Sequence, residues 1–231
     1  MSVTITSSGL SEMALALDTN AYAGTSSGCS SISFGSGSNI GSGYTILDGR
    51  LVAPSAATAG YASRGFTVQR PSNNTSAGYN YGLPSGHSVR VYTNNWDTAI
   101  TGVTMRATFG RAGGSIPTPS TLAERGYGWE WDWGNKVMNI IAHNGTTLTT
   151  TPVTWIPVFG RNYEITAISD GQGTVSLYVD GVLLGTGTGA PTILVGNIGS
   201  VWWQLEIQNL VTASGTTDCN FQNPKVFTTN G

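Results

Sequence analysis

Charge is what this sequence has least of. Asp, Glu, Lys and Arg make up only 10% of its 231 residues, and the formal net charge is -2. The ten basic residues form no run, so the electrostatic footprint of a protein that grips phosphate backbones is missing, and no nucleic-acid partner is expected. Long apolar runs are missing too. None approaches the roughly 18 residues needed to span a bilayer, so no membrane partner is expected. The opening "MSVTITSSGLSEM" has neither the charged n-region nor the apolar h-region of a signal peptide, which predicts a chain made in a cytoplasm. Histidine is scarce: His87 and His143 stand apart and give zinc little to bind. The two cysteines, Cys29 and Cys219, belong to no CxxC pair and point to no metal or redox motif. They are expected as buried thiols, joined in a disulfide only if the two ends of the chain are neighbours.

Gly (32 residues), Ser and Thr fill much of the chain beside a 39% hydrophobic content. Gly and Ser serve turns, while Thr, Val, Ile, Tyr and Trp suit pleated surfaces, so the composition reads as strands and turns. Residues 1 to about 60 have little periodicity and include "AGTSSGCSSISFGSGSNIGSG". "SEMALAL" there suits a short helix or a strand, and periodicity does not decide. The expected organisation is a Gly/Ser-rich N-terminal arm with first strands over residues 1–63 and one domain over 64–231.

From Gly65 the period is two. "GFTVQR", "SVRVYT" and "GVTMRATFG" alternate, with Pro71, Pro84, Pro117 and Pro119 in the breaks. "PSTLAERG" reads as one helical turn stopped by Gly126. Gly134-Asn135, Asn144-Gly145 and Asp180-Gly181 suit hairpin turns because they tolerate positive φ. "TVSLYVD" places Val175, Leu177 and Val179 inward. "VWWQLEIQNL" sets Val201, Trp203, Leu205 and Ile207 against a wet face of Trp202, Gln204, Glu206 and Gln208. Many antiparallel strands, each with one buried face, predict an all-β, two-sheet antiparallel β-sandwich, a jelly roll with an irregular N-terminal arm.

The densest signal is "GYGWEWDWGN", where Trp129, Trp131 and Trp133 alternate with Glu130 and Asp132. If the rings faced solvent as a sugar platform, both acids would lie between the sheets, at several kcal/mol for each unpaired carboxylate. Burying the rings instead removes roughly 150–250 Å² each, a gain of a few kcal/mol apiece. The rings therefore belong to the core, with Trp133 at the strand end as the candidate exception, and the acids are displayed on the outer sheet face.

The run "YEITAISDGQGTVSLYVDGVLLGTGTG" resembles the meander of the concanavalin A-like lectin and glucanase superfamily, in particular its laminin-G-like jelly rolls, over about residues 126–189. Glucanases of that superfamily carry E-x-D-x-x-E on one strand. Here Glu130 and Asp132 match and Asn135 replaces the second Glu. Two acids on one strand, roughly 6.7 Å apart, rise from one floor and do not flank a bond. No catalytic residues and no enzyme are expected. The candidate ligand-binding residues are Glu130, Asp132, Trp202 and Trp96, since carboxylates and exposed rings are what sugar hydroxyls take. No metal site or cofactor is expected: Asp170 and Asp180 sit in turns, and calcium would need clustered oxygens.

Stand-alone jelly rolls of this kind resemble virion structural proteins of tailed bacteriophages. The resemblance implies a surface-exposed capsid decoration or fibre component, made in the host cytoplasm and located at the virion surface. The partners it implies are a homo-oligomer (a trimer favoured), other virion proteins through the N-terminal arm, and host surface glycan as a further candidate. Two alternatives stand beside it: a host-glycan-binding adhesin, and a glycan-cleaving enzyme.

Overall fold

The computed structural model describes residues 29–32, 45–47, 50–53, 60–69, 80–81, 84–111, 125–192, 194–195, 200–209, 214–215 and 217–228. Its strands are β1 (Cys29–Ile32), β2 (Thr45–Leu47), β3 (Arg50–Ala53), β4 (Gly60–Gln69), β5 (Asn80–Tyr81), β6 (Ser85–Tyr92), β7 (Val103–Arg111) and β8 (Arg125–Asp132). They continue as β9 (Val137–His143), β10 (Leu148–Val153), β11 (Asn162–Ser169), β12 (Thr174–Val179), β13 (Val182–Thr188), β14 (Leu194–Val195), β15 (Ser200–Asn209) and β16 (Thr217–Thr228). Among the described residues every regular element is a strand, so the expected all-β class holds.

Two seven-stranded sheets face each other, one in the order β1-β4-β15-β7-β8-β9-β10 and the other β13-β12-β11-β6-β16-β3-β2, with β14-β5 as a small pair. All pairings among the described strands are antiparallel. The meander β7 to β10 builds one sheet and β11 to β13 the other. Strands β15 and β16 return to the middle of each, and this makes a jelly roll. The boundary expected after Ser63 falls inside β4, whose ten residues all pair with β15. Strands β1 to β4 pair within the two sheets of the sandwich. "SEMALAL" and residues 119–124 of the expected helical turn lie outside the described residues, and Gly126 sits within β8 instead of ending a helix.

The alternation sorts side chains as pleat geometry requires. Met105, Ala107 and Phe109 of β7, Tyr127, Trp129 and Trp131 of β8, and Trp203, Leu205 and Ile207 of β15 are buried against Val89, Ile165, Leu177 and Phe221 of the facing sheet. Trp129, Trp131 and Trp133 are 0%, 1% and 0% exposed, so Trp133 is no exception to the core. Asp180-Gly181 forms the expected two-residue turn, with φ of 47° and 80°. The other two dipeptides lie in four-residue loops, 133–136 and 144–147, where Lys136 and Gly145 take the positive φ.

Strands β10 and β13 close one long side of the sandwich. A Cβ on Gly185 would lie 2.8 Å from Val153 Cγ1, one on Gly187 would lie 3.1 Å from Thr151 Oγ1, and one on Gly189 would lie 2.3 Å from Thr149 Oγ1. The glycines of "GTGTG" are the seat on which β10 lies, and Thr149 Oγ1 fastens it by donating to the Thr188 carbonyl at 2.6 Å.

Candidate functional site

Glu130 lies on the outer face of β8, as its alternation with the tryptophans dictates, but it is not displayed. It is 8% exposed and ion-paired with Arg106 of β7. Strand register explains the pairing: Arg106 sits directly opposite Glu130 on one side and opposite Glu206 of β15 on the other. The three side chains form a row across three adjacent strands, with Arg106 Nη1 3.9 Å from Glu206 Oε1. Amides and hydroxyls extend the row. Asn139 Nδ2 donates to Glu130 Oε1 at 3.3 Å, Gln204 Nε2 to Glu206 Oε2 at 2.8 Å, and Gln208 Nε2 to Thr104 Oγ1 at 3.1 Å. Gln204, Glu206 and Gln208 are 3%, 4% and 2% exposed, so the face expected to be wet is closed to solvent.

Closure has an electrostatic consequence. Burial raises the Glu206 carboxyl from its ordinary 4.5 to about 7, with Arg106 pulling it down, Glu130 pushing it up and Gln204 favouring the charged form. One guanidinium thus serves two buried carboxylates, and the second keeps its proton more readily than an exposed Glu would. Both acids are engaged by Arg106, an arrangement that holds three strands in register.

Asp132 is half-buried and occupied in another way. Its Oδ1 accepts the N–H of Gly134 at 2.8 Å and of Asn135 at 3.1 Å, and its Oδ2 accepts Asn135 Nδ2 at 2.7 Å. It therefore shapes the β8–β9 turn, as an Asp before a turn does. Beside it lies an open depression of about 220 Å³ lined by Thr101, Gly102, Val103, Thr104, Asp132, Gly134 and Asn135.

Trp96, expected as an exposed ring, is 1% exposed. It stacks on Trp131 with centroids 4.8 Å apart and planes at 18°, while Trp133 and Trp155 meet it edge-on at 5.9 and 6.0 Å. Dispersion and burial favour this placement over solvent, and Trp96 is withdrawn from the candidate ligand set. Trp202 pairs by its backbone with Thr67 and Gly110, and its side chain lies outside the described residues. The three candidates whose side chains are described are not brought together: Glu130 joins the charged row, Asp132 the turn and Trp96 the core.

Arg106 and Glu206 were missed as partners of Glu130. Each stands in an alternating run, "TMRATF" and "QLEIQ", at a position facing away from the core. The signal was an isolated charge on the outer face of two strands in a charge-poor chain. Strand order, which sequence alone does not supply, was needed to join them.

His87, an isolated histidine in the sequence, lies in the core, where Trp203 Nε1–H donates to its Nδ1 at 3.3 Å. Burial lowers it from 6.5 to about 3, and the Tyr127 backbone offsets this only in part, so the ring is neutral. Among the described residues no three His, Cys, Asp or Glu side chains gather to hold a metal ion.

The architecture has counterparts among solved structures. The Emp47p carbohydrate recognition domain matches with a TM-score of 0.50 at 11% identity, covering 96% of this chain and 98% of that one. The likeness is one of fold. Bacillus licheniformis β-glucanase gives a TM-score of 0.48 at 14% identity over 91% of this chain and 96% of its own. Carbohydrate-binding module CBM66 from Bacillus subtilis gives 0.44 at 8% identity over 87% and 95%. These neighbours are concanavalin A-like lectin and glucanase jelly rolls, and a shared fold carries many activities. No family model matches the chain, and no curated protein matches it.

Proposed function

We propose that the chain is a non-catalytic structural domain of a virion, a surface-exposed decoration or fibre component of a tailed bacteriophage. The observation that carries the structural half is the occupation of its acids: Glu130 and Glu206 share Arg106, and Asp132 holds a turn. A glycosidase needs one carboxyl poised on each side of a bond, and this row offers two carboxyls committed to one cation. The virion half rests on the resemblance to stand-alone phage jelly rolls and on the chain's low charge. Immunogold labelling of particles purified from the source culture tests it. Label on particles supports the proposal, and label confined to the cell lysate sinks it.

Glycan binding is the second reading. It is favoured by the open depression at Thr101, Thr104, Asp132 and Asn135, whose hydroxyl, carboxylate and amide groups suit sugar hydroxyls. A glycan array of the purified chain separates the two. Specific retention that Asn135→Ala abolishes supports an adhesin, and a blank array leaves the structural role.

A further inference from the structure

We propose that Asn144 is a self-modifying site, whose own loop carries the groups that convert its side-chain amide to a carboxylate through a cyclic imide. The sequence singles out Asn144-Gly145 as a turn dipeptide, and the structure adds chemistry to the turn. Asn144, Gly145, Thr146 and Thr147 are all exposed in the loop between β9 and β10, so water has access to it.

A base and two backbone donors meet at this peptide. The Gly145 N–H donates to His143 Nδ1 at 3.1 Å. That ring nitrogen, being the acceptor, carries no proton and stands where a base must stand to take the proton of an attacking amide. Asn144 Oδ1 accepts the N–H of Thr146 and of Thr147, both at 2.9 Å. Two donors on one carbonyl oxygen polarise its carbon, and they are already in place to stabilise the negative charge that oxygen gains when the carbon is attacked. They also hold the side-chain amide folded forward along the loop. The Asn144 N–H closes the loop on the Thr147 carbonyl at 3.3 Å, and Gly145 takes a φ of 105°, which a residue with a side chain would resist. Having no side chain, Gly145 leaves its nitrogen open to the neighbouring Cγ.

The step balances with water as the only co-reactant. The Gly145 nitrogen bonds to Asn144 Cγ as its proton passes to His143. The Cγ–Nδ2 bond then breaks, and the leaving nitrogen takes that proton and departs as ammonia. Water opens the imide at either carbonyl, giving Asp or isoaspartate. The Asp product keeps the turn, because its carboxylate accepts the same two N–H groups, whereas isoaspartate lengthens the backbone and breaks it. Either product adds a negative charge. Residues 137–160 contain no Asp, Glu, Lys or Arg, so the conversion brings a fixed charge to a stretch that has none, in a chain whose formal net charge is only -2.

Peptide mapping by mass spectrometry tests this on the full chain, incubated at neutral pH both folded and unfolded in guanidinium chloride. Mapping separates Asn144 from Asn230-Gly231, the other Asn-Gly pair of the sequence. Conversion of Asn144 should run at least about tenfold faster in the folded chain, a conservative share of what a positioned base contributes. His143→Gln, which keeps a hydrogen-bond acceptor and removes the base, should bring the folded rate down towards the unfolded one. A folded chain that converts no faster than the unfolded chain overturns the proposal, and so does a folded His143→Gln variant that converts as fast as the unsubstituted protein. If that variant does not fold, the comparison of folded with unfolded unsubstituted chain decides alone. The result is independent of the virion and glycan readings above, which the labelling and the array test separately.

Discussion

Two regions of this sandwich reverse the usual placing of polar and apolar groups. On the outer face of β15, β7 and β8, a row of carboxylates, amides and one guanidinium is closed to solvent and bonded within itself. On the loop between β10 and β11 and at the start of β13, Ile156, Val158, Phe159, Val182 and Leu183 stand exposed. The polar row ties its strands together through Arg106, whereas the exposed apolar side chains bury little of their surface in the fold. A sugar-binding or hydrolytic face would show the opposite of the first region.

The largest effect should come from Gly128, two residues before Glu130 on that face. A Cβ there would lie 1.9 Å from the Ala107 carbonyl oxygen, and backbone cannot step aside as a flexible side chain would. Gly128→Ala should cost more than about 3 kcal/mol or prevent folding, read by thermal unfolding. Arg106→Ala comes next. Leaving two buried carboxylates without their cation should cost roughly 3–5 kcal/mol in chemical denaturation.

Glu206→Gln sharpens the comparison through pH. The folded-state carboxyl titrates at about 7 and the ordinary one at 4.5, so folding favours the protonated form. Its contribution is fully present below pH 4.5, is lost as pH rises to about 7, and changes no further above that. The variant should be more stable than wild type at pH 8, with the slope between these values flattened. His87 acts in the other direction: its contribution is present above 6.5 and is lost as pH falls towards about 3. The smallest effect belongs to Ile156, which is 87% exposed: Ile156→Ser should move the unfolding free energy by no more than about 0.5 kcal/mol.

Much of the fold was legible because period-two alternation is a local property. Val175, Leu177 and Val179 face inward, the three tryptophans of β8 are buried, and Asp180-Gly181 turns the chain where its φ tolerance says it should. What stayed hidden depends on which strands become neighbours. The alternation of β8 placed Glu130 on the outer face, but only the insertion of β15 beside β7 brings Glu206 and Arg106 into the same row. Trp96 failed as a surface ring because it lies in the β6–β7 connection, where no periodicity reports its direction, and the ring stack on Trp131 is a tertiary contact.

The central claim is that the outward acids of β8 hold structure and carry no chemistry. It is tested most directly by Glu130→Gln, assayed side by side for unfolding free energy and for glycan binding and β-glucan hydrolysis. The account predicts a stability loss of a few kcal/mol, as expected when one partner of a buried ion pair is removed, with binding and hydrolysis at background in both proteins. Unchanged stability, with binding or hydrolysis present in the wild type and lost in the variant, would contradict it.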